Sequence, residues 1–127
     1  MGHYCSIKGW LETSFDVLPA LQQQIQTYWL DATVTEPTLE RREMYFQAWR
    51  FAQQHSSNWS AYTFLGLDFQ QQYLDWLKTG MQQLLMQPLA VIGYFEISDE
   101  EDDESLTVWH MRDGAFTESQ KPYESGL

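Results

Sequence analysis

Basic residues are scarce in this chain. Seven of its 127 residues are Lys or Arg, against 18 Asp or Glu, which gives a formal net charge of −11. A surface of that sign repels the phosphates of nucleic acids and of anionic lipids. The composition therefore argues against nucleic acid and membrane as partners. It favours a basic protein partner, whose approach the negative charge would steer.

Cysteine and long apolar stretches are also lacking. The single cysteine, Cys5, cannot form a disulfide within the chain, which is typical of a reducing compartment. No stretch approaches the roughly 18 apolar residues of a transmembrane helix, and the first residues lack the basic segment and apolar run of a secretion signal. These absences predict a cytoplasmic protein.

Aromatic residues, in contrast, are abundant. They make up 16% of the chain, and hydrophobic residues make up 43%, which is enough to build one core without metals or disulfides. A chain of this length is expected to form one domain. We expect that domain over residues 1–120, followed by a loose C-terminal tail at 121–127.

The hydrophobic pattern predicts both strands and helices. Residues alternate over His3–Glu12 as in a strand with one apolar side, which carries Cys5. Apolar residues at helical spacing predict a helix that begins after Asp16 as its cap and ends near Leu30. The same spacing predicts a second helix over Gln70–Gln87, with an irregular connection at 31–40.

Residues 41–54 fit either a strand or a helix, and we favour a strand because aromatic residues dominate the centre. Ala61–Phe69 is a second aromatic and β-branched run, in which Gly66 indicates a bulge or a close approach. The turn-rich HSSNWS between them predicts a hairpin. Strands are also expected at Val91–Ile97 and Leu106–Arg112, and a short one after the tight turn at Asp113-Gly114.

These elements follow the order βαββαβ with extra C-terminal strands. The order predicts an α+β fold of the split βαβ type, with an antiparallel sheet of about five or six strands and two helices packed on one face. The other face would be open, and large aromatic residues are candidates to lie on it. A register error of one residue inverts every such assignment. The candidates are Tyr4, Trp10, Trp49, Tyr94 and Trp109.

Groups for catalysis or metal binding do not cluster in the sequence. The histidines His3, His55 and His110 show no ligand spacing, and GxSxG, HExxH and glycine-rich phosphate loops do not occur. Cys5 falls on the apolar side of a strand, where a buried inert thiol is expected. We therefore predict no enzyme activity, no cofactor and no metal site, and we expect His110 to be structural.

The acidic run from Asp99 to Glu104 is the most distinctive segment, and it is expected in a flexible hairpin loop. It lacks the spaced ligands and the glycine of an EF-hand. It is either a solvated loop or an arm that binds a partner beside the aromatic sheet face. The predicted partner-binding residues are Asp99, Glu100, Glu101, Asp102, Asp103, Glu104, Trp10, Trp49, Tyr94 and Trp109.

Several short segments together resemble a known class of proteins. They are GWLE at the end of the first strand, the aromatic run around Ala48-Trp49, NW before YTFLGLDF, GYFEI, and WHMRDGAF. In this order they are similar to the small immunity proteins of bacterial polymorphic and contact-dependent growth inhibition toxin systems. The resemblance implies a small acidic cytoplasmic α+β inhibitor that binds one cognate toxin domain, often a nuclease, and blocks its active site or substrate groove.

Composition agrees with that implication, because a nuclease presents a basic groove that an acidic, aromatic-rich inhibitor would fit. The predicted function is therefore an immunity protein, or antitoxin, that neutralises a toxin by protein binding. An adaptor or a module that binds a small ligand or a peptide is the alternative. An enzyme that uses His110 with two carboxylates in one cleft is the third hypothesis.

Overall fold

A computed structural model of the protein describes residues 3–53 and 60–122, without the side chain of Asp103. Among the helices it describes, none combines the length and apolarity needed to cross a bilayer. The elements are, in chain order, β1 (Tyr4–Ser14), α1 (Leu18–Trp29), α2 (Leu39–Phe46), β2 (Trp49–Arg50), β3 (Ser60–Gln70), a 3-10 turn (Gln71–Tyr73), α3 (Leu74–Leu84), β4 (Ile92–Asp99), β5 (Asp102–Arg112) and β6 (Ala115–Pro122).

The six strands form one sheet in the order β2-β3-β1-β4-β5-β6, and every neighbouring pair is antiparallel. Strand β1 lies inside the sheet and pairs with β3 from Tyr4↔Gln70 to Ser14↔Ser60. The predicted α+β class with an antiparallel sheet is confirmed. The number of helices is corrected, because the described residues contain three α-helices where the sequence predicted two.

The helices pack against one face of the sheet. Strand β1 buries Cys5, Ile7 and Leu11, which alternate with more exposed residues. All three helices add buried side chains to the same hydrophobic cluster, among them Ile25 and Met81. A strand points successive side chains to opposite faces. One sheet face is therefore covered by helices, as predicted. Among the described residues, no helix covers the other face.

Helices α1 and α3 follow the predicted spacing. Helix α1 buries Leu18, Leu21, Ile25 and Trp29, while α3 buries Leu77, Gly80, Met81 and Leu84. The two helices approach closely, since a Cβ on Gly80 would lie 2.6 Å from the Tyr28 ring. One detail is corrected: the N-cap of α1 is Val17, without a side-chain hydrogen bond, where Asp16 was predicted.

The segment 41–54 is not a strand over most of its length. Residues Leu39–Phe46 form α2, whose N-cap Thr38 accepts a hydrogen bond from the Arg41 N–H (3.3 Å). In the described part of the segment, 41–53, the strand is limited to Trp49 and Arg50, which form β2. The strand was predicted from the aromatic content of the segment. Two signals for a helix were present: Thr38 as an N-cap, and the three-residue spacing of the buried residues Arg42 and Tyr45.

Arg42 attaches α2 to the end of α1. It is fully buried, and its guanidinium donates hydrogen bonds to the carbonyl oxygens of Pro37 (2.9 Å), Trp29 (2.9 Å) and Val34 (2.8 Å). These carbonyls belong to the end of α1 and the connection that follows it. A charged side chain thus joins α2 to α1 in a segment where the sequence allowed a strand or a helix and a strand was favoured.

The predicted hairpin between the two central aromatic runs is reduced to a short contact. Strand β2 pairs with β3 through Trp49↔Leu65 and Arg50↔Phe64. The predicted turn HSSNWS, including His55, lies outside the described residues apart from Ser60. The register of β1 with β3 runs unbroken past Gly66, and a Cβ there would meet nothing within 4 Å. The predicted bulge or close approach at Gly66 is therefore wrong.

The three C-terminal strands lie where they were predicted, but β4 ends at Asp99 instead of Ile97 and β5 begins at Asp102 instead of Leu106. The turn between β5 and β6 has positive φ at Asp113 (54°) and Gly114 (76°), as a two-residue type I′ hairpin requires. Strand β6 continues to Pro122, so the first two residues of the segment 121–127, predicted as a tail, pair with β5. Residues 123–127 lie outside the described part of the chain.

Candidate functional site

The open face is the side of the sheet that the helices do not cover. Cross-strand pairing places one residue from each strand in a continuous line across it. Paired residues in neighbouring strands share a face, so the whole line points away from the core. We call it the aromatic row. From β2 to β6 it consists of Arg50, Phe64, Trp10, Tyr94, His110 and Thr117.

The rings of the aromatic row contact one another. Trp10 stacks on Tyr94 with 5.0 Å between ring centroids, and Tyr94 lies 5.0 Å from His110. Phe64 stacks on Tyr62, the next open-face residue of β3, at 6.3 Å. Phe64 is 53% exposed and Tyr62 is 43% exposed. A cluster of large rings left this open on a monomer is typical of a surface that contacts a partner.

Two grooves flank the Trp10–Tyr94 stack. One, of about 490 Å³, lies over Gly66 and is bordered by Lys8, Trp10, Phe64, Tyr94 and Glu96. The other, of about 520 Å³, extends towards Ile92, His110 and Arg112. The first groove exists because Gly66 has no side chain, and nothing else occupies the space where one would stand.

Tyr94 is held in place by a polar network. Its hydroxyl donates to Oε2 of Glu96 (2.7 Å), and Nζ of Lys121 donates to the same carboxylate (2.7 Å) and to the Tyr94 hydroxyl (3.2 Å). The hydrogen bond from Lys121 is the main cause that lowers the pKa of Glu96. Lys121 reaches Glu96 from β6 across β5, where Val108 on the same face is buried. The network restrains the side chain of Tyr94.

The acidic run is more ordered than predicted. Strand β4 extends to Asp99 and β5 begins at Asp102, so that only Glu100 and Glu101 form the turn. The prediction of a flexible hairpin loop is corrected. Like charges in sequence suggested a solvated loop, whereas β4 and β5 pair again at Asp99↔Asp102 beyond an irregularity in their register. Carboxylates of the run also accept hydrogen bonds from nearby backbone groups.

Those backbone contacts are specific. Asp99 accepts from the N–H of Glu101 (2.8 Å), and Asp102 accepts from the N–H of Glu104 (2.9 Å). Glu100 ties the turn to β1, because its carboxylate accepts from the N–H of Tyr4 (2.8 Å) and its own N–H donates to the carbonyl of Tyr4 (3.1 Å). The turn therefore has a defined position beside the start of β1.

We call this region the acidic end; it comprises Asp68, Asp99, Glu100, Glu101, Asp102 and Glu104. A hollow of about 520 Å³ lies there, lined by Tyr4, Cys5, Ser6, Asp68, Ser98, Asp99, Glu100 and Asp102. Tyr4 is 43% exposed and continues the open face towards Lys8 and the groove over Gly66. Asp68 pairs with Ser6 on the open face, whereas Asp99 pairs with Cys5 on the helix-covered side. The acidic end therefore borders the open face at the end of the sheet where Tyr4 lies.

His3 lies within the acidic end. Its Nε2 forms a short hydrogen bond with Oδ1 of Asp99, and its Nδ1 is 3.7 Å from Oε2 of Glu101. The hydrogen bond with Asp99 is the main cause that raises the pKa of His3 above its ordinary value. The sequence showed no reason to place His3 beside these acids, since Asp99 is 96 residues away along the chain.

Cys5 is buried, as predicted, with 4% exposure. Burial is the main cause that raises the pKa of its thiol to about 11, and the charges of Asp99 and Glu100 add to it. A thiol held in the protonated form is a poor nucleophile. The ligand atoms of His3, Cys5 and Asp99 nevertheless lie within 4.8 Å of one another, a grouping that no local spacing in the sequence predicts.

Two of the predicted partner-binding residues are not on the surface. Trp49 is 4% exposed and Trp109 is 0% exposed. Trp49 pairs with buried Leu65, and Trp109 pairs with buried Phe95, so both side chains point to the helix-covered face. Their prediction as open-face residues is wrong. Alternation along a strand sorts its residues into two faces, but it does not show which face the helices cover. Both tryptophans were therefore assigned to the wrong face.

Of the other predicted aromatic residues, Trp10 and Tyr94 lie on the open face, together with Tyr4. Sequence reasoning missed Phe64 and Tyr62. Their signal was the alternation in β3, where Tyr62, Phe64 and Gly66 are exposed between the buried residues Ala61, Thr63 and Leu65.

His110 is exposed at one side of the aromatic row. The groove beside it is lined by Trp10, Ile92, Gly93, Tyr94, His110, Met111, Arg112 and Thr117. This lining contains no carboxylate, whereas the enzyme hypothesis needed two beside His110.

Comparisons of the chain with known protein families, with characterised proteins and with solved structures found no match. The resemblance to immunity proteins therefore stays a prediction. The arguments for a function come from the geometry of the open face and from its charge.

Proposed function

We propose that this protein is an immunity protein that binds one basic bacterial toxin domain and neutralises it. In this proposal it acts in the cytoplasm of the cell that it protects, and the toxin is a nuclease whose active site or substrate groove is covered. One observation supports the proposal above the others: an exposed row of aromatic rings crosses the open face of a sheet, and a group of carboxylates lies at the end of the same sheet.

The two parts of that surface would contribute differently to binding. Trp and Tyr anchors provide most of the energy in protein interfaces. Trp10 and Tyr94 suit this role because stacking and the Lys121–Glu96 network hold their rings, which lowers the entropy lost on binding. The acidic end would act over a longer range and raise the rate at which a basic partner arrives.

Charge complementarity argues for the class of partner. A nuclease domain carries Lys and Arg along the groove that binds phosphate, and a chain with a net charge of −11 attracts such a surface. Carboxylates of the acidic end would compete with phosphate for the same basic side chains. The aromatic row would then seal the contact against water.

The direct test is a growth assay. The gene adjacent to the one that encodes this chain would be expressed with and without it, and we expect growth to be restored only by co-expression. Growth that stays arrested in the presence of this protein would contradict the proposal. The same pair would then be purified for binding measurements by calorimetry and stopped-flow.

Variants of the open face test which surface is used. We expect Phe64→Ala and Trp10→Ala each to weaken binding by roughly 30-fold or more, as replacement of an interface anchor by alanine does. Gly66→Trp should fill the groove over Gly66 and weaken binding further. Met44→Ala is the matched control, because Met44 is 58% exposed on helix α2. An equal loss in the control would argue against the open face.

Charge variants test the acidic end separately. The triple change of Glu100, Glu101 and Glu104 to Gln removes three charges and keeps hydrogen-bond acceptors. We expect association at low salt to slow by about tenfold and to depend less on salt, since steering by charge changes rates by roughly 10- to 1,000-fold. The control removes three exposed charges on the helices, at Glu40, Glu43 and Asp75, and should leave the rate unchanged.

The groove over Gly66 supports one alternative, a module that binds a small ligand or a peptide. Its volume of about 490 Å³ is within the range of small-molecule sites, roughly 300–1,000 Å³. The growth assay separates the two functions. Binding of a small molecule that Gly66→Trp abolishes, together with no protection from any neighbouring toxin, would favour the alternative.

A further inference from the structure

His3, Cys5 and Asp99 meet at the acidic end on the helix-covered side of the sheet. Cys5 and Asp99 are directly paired in strands β1 and β4, and His3 is joined to Asp99 by a hydrogen bond. One nitrogen, one sulfur and one oxygen atom of these side chains lie within 4.8 Å of one another. The fold thus collects three different donor atoms around a single point.

The donor set indicates which ion would fit. Thiolate and imidazole prefer borderline or soft ions such as Zn²⁺, whereas Ca²⁺ and Mg²⁺ prefer oxygen ligands alone. In a tetrahedral zinc site, bonds of roughly 2.0–2.3 Å separate the ligand atoms by roughly 3.3–3.8 Å. The side chains of His3 and Asp99 are 34% and 36% exposed and can close the remaining distance, while buried Cys5 serves as the fixed ligand.

The surroundings also favour a cation. Glu100 and Asp102 lie beside the three donors, and Oε2 of Glu101 is 3.7 Å from Nδ1 of His3. Glu101 is therefore placed either to supply a fourth ligand or to orient the imidazole, as carboxylates commonly do next to metal-bound histidines. A divalent cation would offset the repulsion among these acids.

We propose that His3, Cys5 and Asp99 form a binding site for Zn²⁺ or a similar divalent transition-metal ion, with Glu101 or water completing the coordination. The site shares Asp99 and Glu101 with the acidic end, but its argument rests on the three donor atoms and does not depend on the proposed function. It would join the start of β1 to the end of β4 and so stabilise the acidic end in the folded protein.

Cobalt provides a specific test, since Cys5 is the only cysteine in the chain. The protein would be treated with a chelator and titrated with Co²⁺ while its absorbance is recorded. We expect a near-ultraviolet thiolate-to-cobalt band that saturates at one equivalent and that Zn²⁺ abolishes by displacement. Cys5→Ser should remove the band. Absence of the band in the folded wild-type protein would overturn the proposal.

The other two ligands, His3 and Asp99, have partly exposed side chains and can be replaced one at a time. We expect His3→Gln and Asp99→Asn each to weaken Zn²⁺ binding, measured by calorimetry, by more than about tenfold, since even loss of an outer partner costs roughly 10- to 100-fold. His110→Gln is the control and should bind Zn²⁺ as the wild type does. Unchanged affinity in both variants would assign any binding to another place and overturn the site.

Melting temperatures with and without Zn²⁺ provide a second readout. An ion that binds only the folded state stabilises it by RT ln(1 + [ion]/Kd), so the melting temperature rises with the logarithm of the affinity. We expect a rise in the wild type and in His110→Gln, and a smaller rise in His3→Gln at the same Zn²⁺ concentration. Variants would be compared by circular dichroism without metal, so that a change in folding is recognised.

Discussion

The two faces of the sheet are built from the same strands, but Trp and Gly residues have opposite environments on them. On the helix-covered face, Trp109 is fully buried, and a Cβ on Gly9 would collide with the carbonyl oxygen of Tyr94 and lie 2.7 Å from Cα of Phe95. On the open face, Trp10 is partly exposed and Gly66 has nothing within 4 Å of such an atom. The closest packing is thus on the covered face, whereas the open face leaves several aromatic rings exposed.

The sharpest test of this comparison exchanges one tryptophan on each face for alanine. We expect Trp109→Ala to lower the free energy of unfolding by about 3–5 kcal/mol, because it leaves a large cavity and removes the hydrogen bond from Nε1 to Glu118 (2.9 Å). Trp10→Ala should cost roughly 1.5 kcal/mol or less, since it mainly loses its stack on Tyr94. Urea unfolding measures both, and equal losses would contradict the comparison.

Arg42 tests the helix layer itself. We expect Arg42→Ala to lower the free energy of unfolding by about 3 kcal/mol, because each buried carbonyl left without a donor costs roughly 1–3 kcal/mol and the side chain bonds three of them. Arg41→Ala, the neighbouring partly exposed position, serves as the control and should cost less than about 1 kcal/mol. Similar losses in the free energy of unfolding for the two variants would mean that the hydrogen bonds of Arg42 do not stabilise the packing of α2.

Alanine at Gly9 should destabilise the covered face. The new methyl group would meet backbone atoms of Tyr94 and Phe95, which cannot move without shifting β4. Overpacking of this kind costs roughly 1–3 kcal/mol, and we expect the upper end of that range because the obstacle is backbone. Thermal unfolding followed by circular dichroism measures the effect, and a neutral result would show that the strands separate more easily than their packing indicates.

Acid should weaken the link between β5, β6 and α3. Glu118 accepts hydrogen bonds from Trp109 and Lys78 (3.2 Å), and the bond from Trp109 is the main cause that lowers its pKa below the ordinary value of 4.5. A lowered folded pKa contributes stability above the unfolded pKa, which is lost as pH falls through the folded pKa.

We therefore expect the wild type to lose up to about 1 kcal/mol more than Glu118→Gln between roughly pH 5 and pH 3, a modest amount because solvent screens the carboxylate. Urea unfolding across that range measures the difference. Parallel curves for the two proteins would show that the Glu118 carboxylate adds no pH-dependent stability.

Alanine at Gly66 completes the comparison with Gly9. On the open face the methyl group meets nothing, and a glycine inside a strand costs roughly 0.5–1 kcal/mol relative to alanine. We expect Gly66→Ala to raise the free energy of unfolding by about that amount, measured in the same thermal series. A loss of stability would mean that the space over Gly66 is needed for folding rather than for binding.

Periodicity was sufficient for the elements whose apolar spacing was regular. It located β1, α1, α3 and the last three strands, since burial of one side imposes a period that the residues display directly. It failed at 41–54, where the decisive contacts are hydrogen bonds from Arg42 to carbonyls elsewhere in the chain. Spacing within a segment carries no information about partners outside it.

The candidate site divides in the same way. Trp10, Tyr94 and the acidic run were identified from the sequence, because aromatic and charged residues are recognisable by type. Trp49 and Trp109 were assigned to the wrong face, and Phe64 was missed, because the side of a strand that becomes buried depends on which residues the helices cover.

Hydrophobic period, the order of the elements and composition were enough to predict the α+β class, the antiparallel sheet and the acidic character of the protein. They did not predict which aromatic rings stay exposed or that His3, Cys5 and Asp99 meet. Pairing between strands brings together residues far apart in the chain, such as Cys5 and Asp99, and each such contact depends on a register that local sequence does not contain.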